Sequence, residues 1–193
     1  MPAPLLRGAS AADAGAVAAL HADSWRHHYR GAYSDAFLND DVLADRLAVW
    51  SERLSRPQPG AVTILAQDSA GLQGFAHVIL EHDRRWGALL DNIHVAHARK
   101  RAGIGARLFA RVAAIVAEGE DASSAERASS NGLYLWVLEQ NTAAQAFYEA
   151  LGGSRAERAI VDAPGGVASR LAGTPHKLRY AWDAHAVRVA AKA

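Results

Sequence analysis

HVAHARKRAGIGARLFARV, residues 94–112, leaves a predicted strand, passes through a basic loop, crosses Gly103 and Gly105 and enters a helix. Arg99, Lys100 and Arg101 stand directly before those glycines. A helix N-terminus offers unpartnered backbone N–H groups and the positive end of the helix dipole. Glycine lets an anion come close to the backbone, and the three cations add charge. The stretch therefore reads as a turn that grips a pyrophosphate. Taken alone, it also fits an ordinary strand-to-helix turn beside a solvated basic loop. Two other phosphate motifs fail on spacing. A P-loop needs Lys and then Ser or Thr after its second glycine, and here Ala106 and Arg107 follow Gly105. A dinucleotide fingerprint needs a third glycine three residues on, where Leu108 stands.

The rest of the chain bounds what this turn can serve. Its 193 residues suggest one domain spanning the whole chain, with a core over about residues 7–183 and a tail over about 184–193. Half of the residues are hydrophobic, enough for a buried core. A net charge of +1 gives no global attraction to nucleic acid or to a membrane. With no cysteine there are no disulfides, thiolate metal sites or cysteine nucleophiles. None of the nine histidines forms HxxxH or another metal-ligand spacing. The first ten residues lack the apolar core of a signal peptide, and no apolar run approaches the ~20 residues that span a bilayer. The expected class is a soluble cytoplasmic protein without a metal; a homodimer is left open.

Ser10 and Asp13 pattern as a capping box, and the Ala-rich stretch after them is expected to be helical to about His21. The aromatic and His-rich segment SWRHHYRGAYSD follows. Apolar residues at 43, 47, 50 and 54 give a helical period. AVTILAQ and LQGFAHVIL, joined by DSAG, form a predicted hairpin. ALLDNIHV reads as a third strand, and a helix is expected from about Ile104 to Glu118. GEDASSAERASSNG is a polar linker, LYLWVL a strand and NTAAQAFYEAL a helix stopped at Gly152. Two weaker strands are expected near Ser154–Asp162 and Lys177–Trp182, and the tail after Asp183 is expected to fray. Helices, a hairpin, then strand–helix–strand–helix–strand make an α/β chain with a sheet of mixed direction.

The second informative stretch is LYLWVLEQNTAAQAFYEALGG. Asn141 directly follows a strand, and Tyr148 lies seven residues later, two helical turns on. With both stretches in this order, the chain resembles the GNAT superfamily of N-acetyltransferases. That family's cofactor motif is Arg/Gln-x-x-Gly-x-Gly/Ala, and KRAGIG matches it over Lys100–Gly105, with Lys in the first place. SWRHHYRGAYSDAFL is similar to the substrate-side helical segment of many bacterial members. The resemblance covers roughly residues 7–183. It implies a mostly antiparallel sheet splayed between its fourth and fifth strands, ALLDNIHV and LYLWVL, and flanked by helices.

The resemblance also implies a reaction. Acetyl-CoA would lie in the splay, its pantetheine pairing with the strand edge near Val95. Cofactor contacts would come from Val95, Lys100, Arg101, Gly103, Ile104, Gly105, Ala106 and Asn141, with Arg99 and Arg107 reaching outer phosphates. A primary amine of a small molecule or peptide would attack the thioester directly in a ternary complex. The Val95 N–H would stabilise the oxyanion, and Tyr148 would protonate the leaving thiolate. The base is least legible. Amino-terminal acetylases of ribosomal proteins carry a Glu five residues before the Asn, where Trp136 stands here. Histone-type members carry one at the position of Leu89. Asp91, two residues on and on the same face by strand alternation, is the candidate base, directly or through water, and Glu139 is its rival. His94 is expected on the opposite face from Asp91. His27 and His28 lie in the acceptor region. Trp25, Tyr29, Tyr33 and Trp86 are candidates for an aromatic wall, or for ordinary core filling. Competing readings are a non-catalytic acyl-CoA-binding module and a general phosphate- or nucleotide-binding α/β protein.

Overall fold

A computed structural model describes residues 3–121 and 132–192; most of the predicted linker GEDASSAERASSNG lies outside them. Seven strands form one sheet: β1 (Leu5–Gly8), β2 (Ala61–Asp68), β3 (Gly71–Asp83), β4 (Gly87–Val95), β5 (Leu133–Leu138), β6 (Ser154–Ile160) and β7 (His176–Trp182). Their spatial order is β1-β2-β3-β4-β5-β7-β6. Every neighbouring pair is antiparallel except β4 and β5, which run parallel and pair only at Ala88–Leu133 and Leu89–Tyr134. Beyond those two rungs the strands diverge. This is the mixed, splayed sheet that the resemblance implied.

Alternation along the strands sorts two cores. Ile64, Ala66, Ala76, Val78, Leu90, Leu135 and Leu178 turn to one face, against α3 (Ile104–Asp121) and α5 (Ala184–Ala190). Leu65 and Phe75 turn to the other, against α1 (Ala14–His28) and Trp50 of α2 (Val42–Ser55). A fourth helix, α4 (Thr142–Ala150), follows β5.

Three elements differ from expectation. β1 was not predicted; four residues are too short for a period, and the strand exists by pairing with β2. α1 runs to His28 rather than ending near His21. Its inner stripe continues through His21 and Trp25, and a buried histidine hides that stripe from a hydrophobicity count. The tail after Asp183 does not fray. The Asp183 side chain accepts from the Ala186 N–H and starts α5, whose Val187 is 1% exposed.

β4 carries one further irregularity. His77 pairs with Asn92 and Val78 with Leu90, so Asp91 is an extra, bulged residue. The bulge resets the alternation. Asp91 meets α2, and His94 meets Ser24 of α1, so the two share the face toward α1 and α2. The expectation of opposite faces is thereby corrected.

Candidate active site

The cofactor end of the gap is built from backbone. Ala96 N–H donates to the Gln73 carbonyl of β3. In an antiparallel ladder the hydrogen-bonded pairs alternate, so the N–H and C=O of the preceding Val95 turn from β3 toward the side that β5 has left. After a short 3-10 turn at His97–Arg99, the chain passes Arg101 (φ 62°) and Gly103 (φ 75°) and enters α3 at Ile104. Left-handed backbone at position 103 is what demands glycine there; a Cβ would meet nothing within 4 Å. At Gly105 the demand is for close approach, because a Cβ would stand 3.3 Å from the Phe147 ring and 3.7 Å from the Val95 side chain. Ile104 is buried and anchors the start of α3 in the core, and Ala106 follows in its first turn.

The cations around this turn divide. Lys100 Nζ lies 2.6 Å from Nε2 of His28, so the turn is tied to the end of α1. Burial lowers the pKa of both groups, and the Lys100 charge lowers that of His28 further. Arg101 stays exposed. Arg99 is turned away into an ion pair with Asp68 at 3.1 Å, both side chains largely buried. Arg107 donates to the Pro4 carbonyl at 2.8 Å. The expectation that Arg99 and Arg107 reach outer phosphates is therefore corrected.

Asn141 caps α4, its side-chain oxygen accepting from the Ala144 N–H at 3.2 Å. Two turns later, Tyr148 is 7% exposed and packs beside Phe147, Tyr180 and Trp182. Its hydroxyl has no hydrogen-bond partner among the described residues. Burial raises its pKa, with a smaller contribution from Tyr29, so it stays protonated.

The other end of the gap is built from side chains. Asp91 Oδ2 accepts from Arg53 Nη1 and from Asn92 Nδ2, each at 2.6 Å. Tyr29, at the end of α1, has its hydroxyl pushed up to about 12 by burial and then by the Asp91 charge. His94 Nδ1 meets the Ser24 hydroxyl at 2.8 Å, and its ring lies 4.5 Å from that of His21. Burial lowers its pKa to about 3. His21 accepts from the Trp50 indole N–H at 2.9 Å and is likewise held neutral by burial. Glu139 forms two 2.8 Å hydrogen bonds with the Arg158 guanidinium, which lower its pKa.

The four candidate aromatics do not share one wall. Trp25, Tyr29 and Tyr33 pack together with Phe37, the first three with centroids 5.0 Å apart. Trp86 lies elsewhere, against the Arg179 guanidinium. The loop between β6 and β7 docks on the α1–α2 connection through Ser34 N–H to the Arg170 carbonyl and Ala172 N–H to the Ala32 carbonyl, both 2.9 Å. A cavity of about 420 Å³ opens beside this seam, lined by Gly31, Glu139, Gln140 and His176 among others. His27 stacks on His97 with centroids 4.5 Å apart, next to the glycine turn.

Sequence reasoning missed Arg53 and Arg179. Arg53 follows the buried Trp50 by three residues, and Arg179 alternates with buried Leu178 and Tyr180 on β7. Periodicity placed both beside the core but not at the site. Among the described residues, no group of three or more His, Asp or Glu side chains is arranged to hold a metal ion, and no helix is long and apolar enough to cross a membrane.

The family model described as Acetyltransferase (GNAT) family matches residues 22–153, from α1 to the end of α4. A search of curated proteins finds no match. Solved structures share the fold. A GCN5-related N-acetyltransferase from Rhodopseudomonas palustris is 19% identical, with a TM-score of 0.66 over 95% of this chain and 97% of that one. The PaiA N-acetyltransferase from Thermoplasma acidophilum, in complex with coenzyme A, is 17% identical, with a TM-score of 0.67 over 94% of this chain and 100% of that one. The putative acetyltransferase yncA from Salmonella typhimurium, with its cofactor acetyl-CoA, is 16% identical, with a TM-score of 0.60 over 95% of both chains. With the splayed sheet, the glycine turn at the start of α3 and a match over residues 22–153, this chain belongs to the GNAT family of acetyltransferases.

Proposed function

We propose that the protein transfers the acetyl group of acetyl-CoA to the primary amine of a small molecule or peptide, with both substrates bound together. The observation that carries this reading is Tyr148, a buried, protonated tyrosine whose hydroxyl has no hydrogen-bond partner among the described residues, on the helix that follows β5, with the Asp91 carboxylate on β4 across the divergence of the two strands. The residues present suit a CoA thioester. Val95 offers an unclaimed strand edge, and Gly103, Ile104, Gly105 and Ala106 offer amides at a helix start. Lys100 and Arg101 bring charge to the same turn, and Asn141 orders the start of α4.

Bound acetyl-CoA supplies an acetyl group already activated as a thioester. The Val95 N–H donates to the carbonyl oxygen as negative charge develops there. The amine nitrogen forms the new C–N bond while the C–S bond breaks, and Tyr148 gives its proton to the departing sulfur. Asp91 takes the proton lost by the amine. Its carboxylate is short and held by Arg53, so one water relays the proton. Glu139 is occupied by Arg158 and is not the base.

The test is release of CoA from acetyl-CoA across a panel of amines, with calorimetry for acetyl-CoA binding. Amine-dependent release is expected. Binding without release for any amine would favour a non-catalytic acyl-CoA-binding module, and no binding at millimolar ligand would overturn both.

A further inference from the structure

The β5–β7 side of the sheet carries a cation that the mechanism above does not use. Leu133, Leu135, Val137, Leu178, Tyr180 and Trp182 point to the α3 face. Tyr134, Trp136, Lys177 and Arg179 therefore point to the other face. That face includes Leu138, which packs with Trp25 and Tyr33 of the acceptor-side cluster. Arg179 sits directly opposite Trp136 across the β5–β7 ladder. Its guanidinium carbon lies 4.5 Å from the Trp136 ring centre, 4.7 Å from that of Tyr134 and 4.8 Å from that of Trp86. Only 12% of the side chain is exposed.

Nη2 of Arg179 reaches Glu157 at 3.1 Å, but Nε and Nη1 are buried with no hydrogen-bond partner. Three ring faces attract the charge, yet they provide no oxygen for those N–H groups. Buried charged donors are almost always paired, because losing water without replacement is costly. The neighbouring acids do not fill the gap: Glu157 holds only Nη2, and the Asp83 carboxylate accepts from the backbone N–H groups of Arg85 and Trp86.

The cage adjoins the reaction site. Two residues beyond the Leu89–Tyr134 rung stand Asp91 on β4 and Trp136 on β5, and Arg179 lies directly opposite Trp136. Its cover is Trp86, a half-buried ring on the tight turn between β3 and β4. The backbone there is pinned. The Asp83 carboxylate accepts from the N–H groups of Arg85 and Trp86, and Gly87 lies too close to Gly132 for any Cβ to fit.

Resting on the acetyl-transfer reading, we propose that Arg179 selects the acceptor. Its unpartnered donors receive a carboxylate of the amine substrate when the Trp86 ring moves off, so the acceptor is an amine that also bears a carboxylate. An oxygen anion at these nitrogens would complete the pairing that the fold leaves open.

The experiment compares matched primary amines: 4-aminobutyrate, butylamine and 1,4-diaminobutane, and amino acids against their amides. The carboxylate member of each set is expected to have a kcat/KM roughly 10- to 100-fold higher, the range of one charge-assisted hydrogen bond. Arg179→Gln should erase that advantage while the neutral amine and acetyl-CoA affinity are unaffected, and Arg179→Lys should restore part of it. Trp86→Ala should lower KM for the carboxylate member only. The proposal falls if the carboxylate confers no advantage, if the advantage survives Arg179→Gln in a folded protein, or if all amines lose activity equally, as a purely structural arginine would dictate. Failure of every amine, carboxylate-bearing or not, to raise CoA release would remove the acetyl-transfer reading together with this one.

Discussion

At the cofactor end of the gap, residues 95–106 present amides and glycines along one continuous piece of chain. At the proposed acceptor end, Asp91, Tyr29, Arg53, Tyr134 and Arg179 present side chains from the end of α1 and from α2, β4, β5 and β7. The first end depends on φ angles and on the absence of Cβ atoms, so it tolerates changes of side chain outside the glycines. The second depends on which faces five elements turn toward one another. A site assembled this way can change its acceptor by a few substitutions while the cofactor grip stays as it is.

The sharpest test of that division removes an oxygen atom. Tyr148→Phe should lower turnover by ~10²–10⁴-fold, the usual worth of general acid catalysis, with acetyl-CoA affinity unchanged in calorimetry. The hydroxyl has no protein partner to lose, so the melting temperature should hold. Loss of affinity instead of turnover would move Tyr148 to the cofactor end. Gly105→Val attacks the other side. Its Cβ would press on the Phe147 ring and touch Val95, and the added bulk is expected to hold a phosphate off the amides. Acetyl-CoA binding should weaken roughly 100-fold, as for one or two charge-assisted hydrogen bonds lost, in a protein that still unfolds cooperatively.

Asp91→Asn keeps the hydrogen bonds to Arg53 and Asn92 in shape and removes the base. Turnover should fall about 10- to 100-fold and the acidic limb of the pH–rate profile should flatten, with no change in acetyl-CoA affinity. Wild-type turnover in that variant would return the role to water or to His28.

Buried histidines offer a milder test, on stability. Burial lowers His77 to about 4 and His94 to about 3, below the ordinary 6.5. Between about pH 6.5 and pH 4 the unfolded chain takes up protons there that the native state refuses. Stability is therefore complete above pH 6.5 and falls as the pH drops, by up to about 1.4 kcal/mol per pH unit for each histidine. Thermal melts from pH 7 to pH 4.5 should show this slope, and His77→Gln should reduce it. The smallest effect is expected at Glu139→Gln. Its pair with Arg158 is solvent-exposed, so turnover should change less than about 2-fold and the melting temperature should hardly move.

Much of this was legible before any coordinate. The spacing of KRAGIG, the strand LYLWVL, and Asn141 two turns before Tyr148 are local properties of the chain, set by turn chemistry and helical period. They located the glycine turn before α3 and the divergent strands, and singled out Tyr148 as the proposed acid. The face that Asp91 shares with His94 was not legible, because one bulged residue, fixed by pairing with β3, inverts alternation downstream. Nor was the loss of Arg99 to Asp68 or of Arg107 to the Pro4 carbonyl, since both partners are distant in sequence. β1 likewise exists only by pairing. Arg179 shows the same limit. Its place on β7 follows from period two, but three rings from β5 and the β3–β4 turn, and two donors left without an oxygen, arise only when strands far apart in sequence lie side by side. Backbone conformation is decided over a few residues and can be read along the chain; the company a side chain keeps is decided by register and packing between elements, and only the folded sheet determines it.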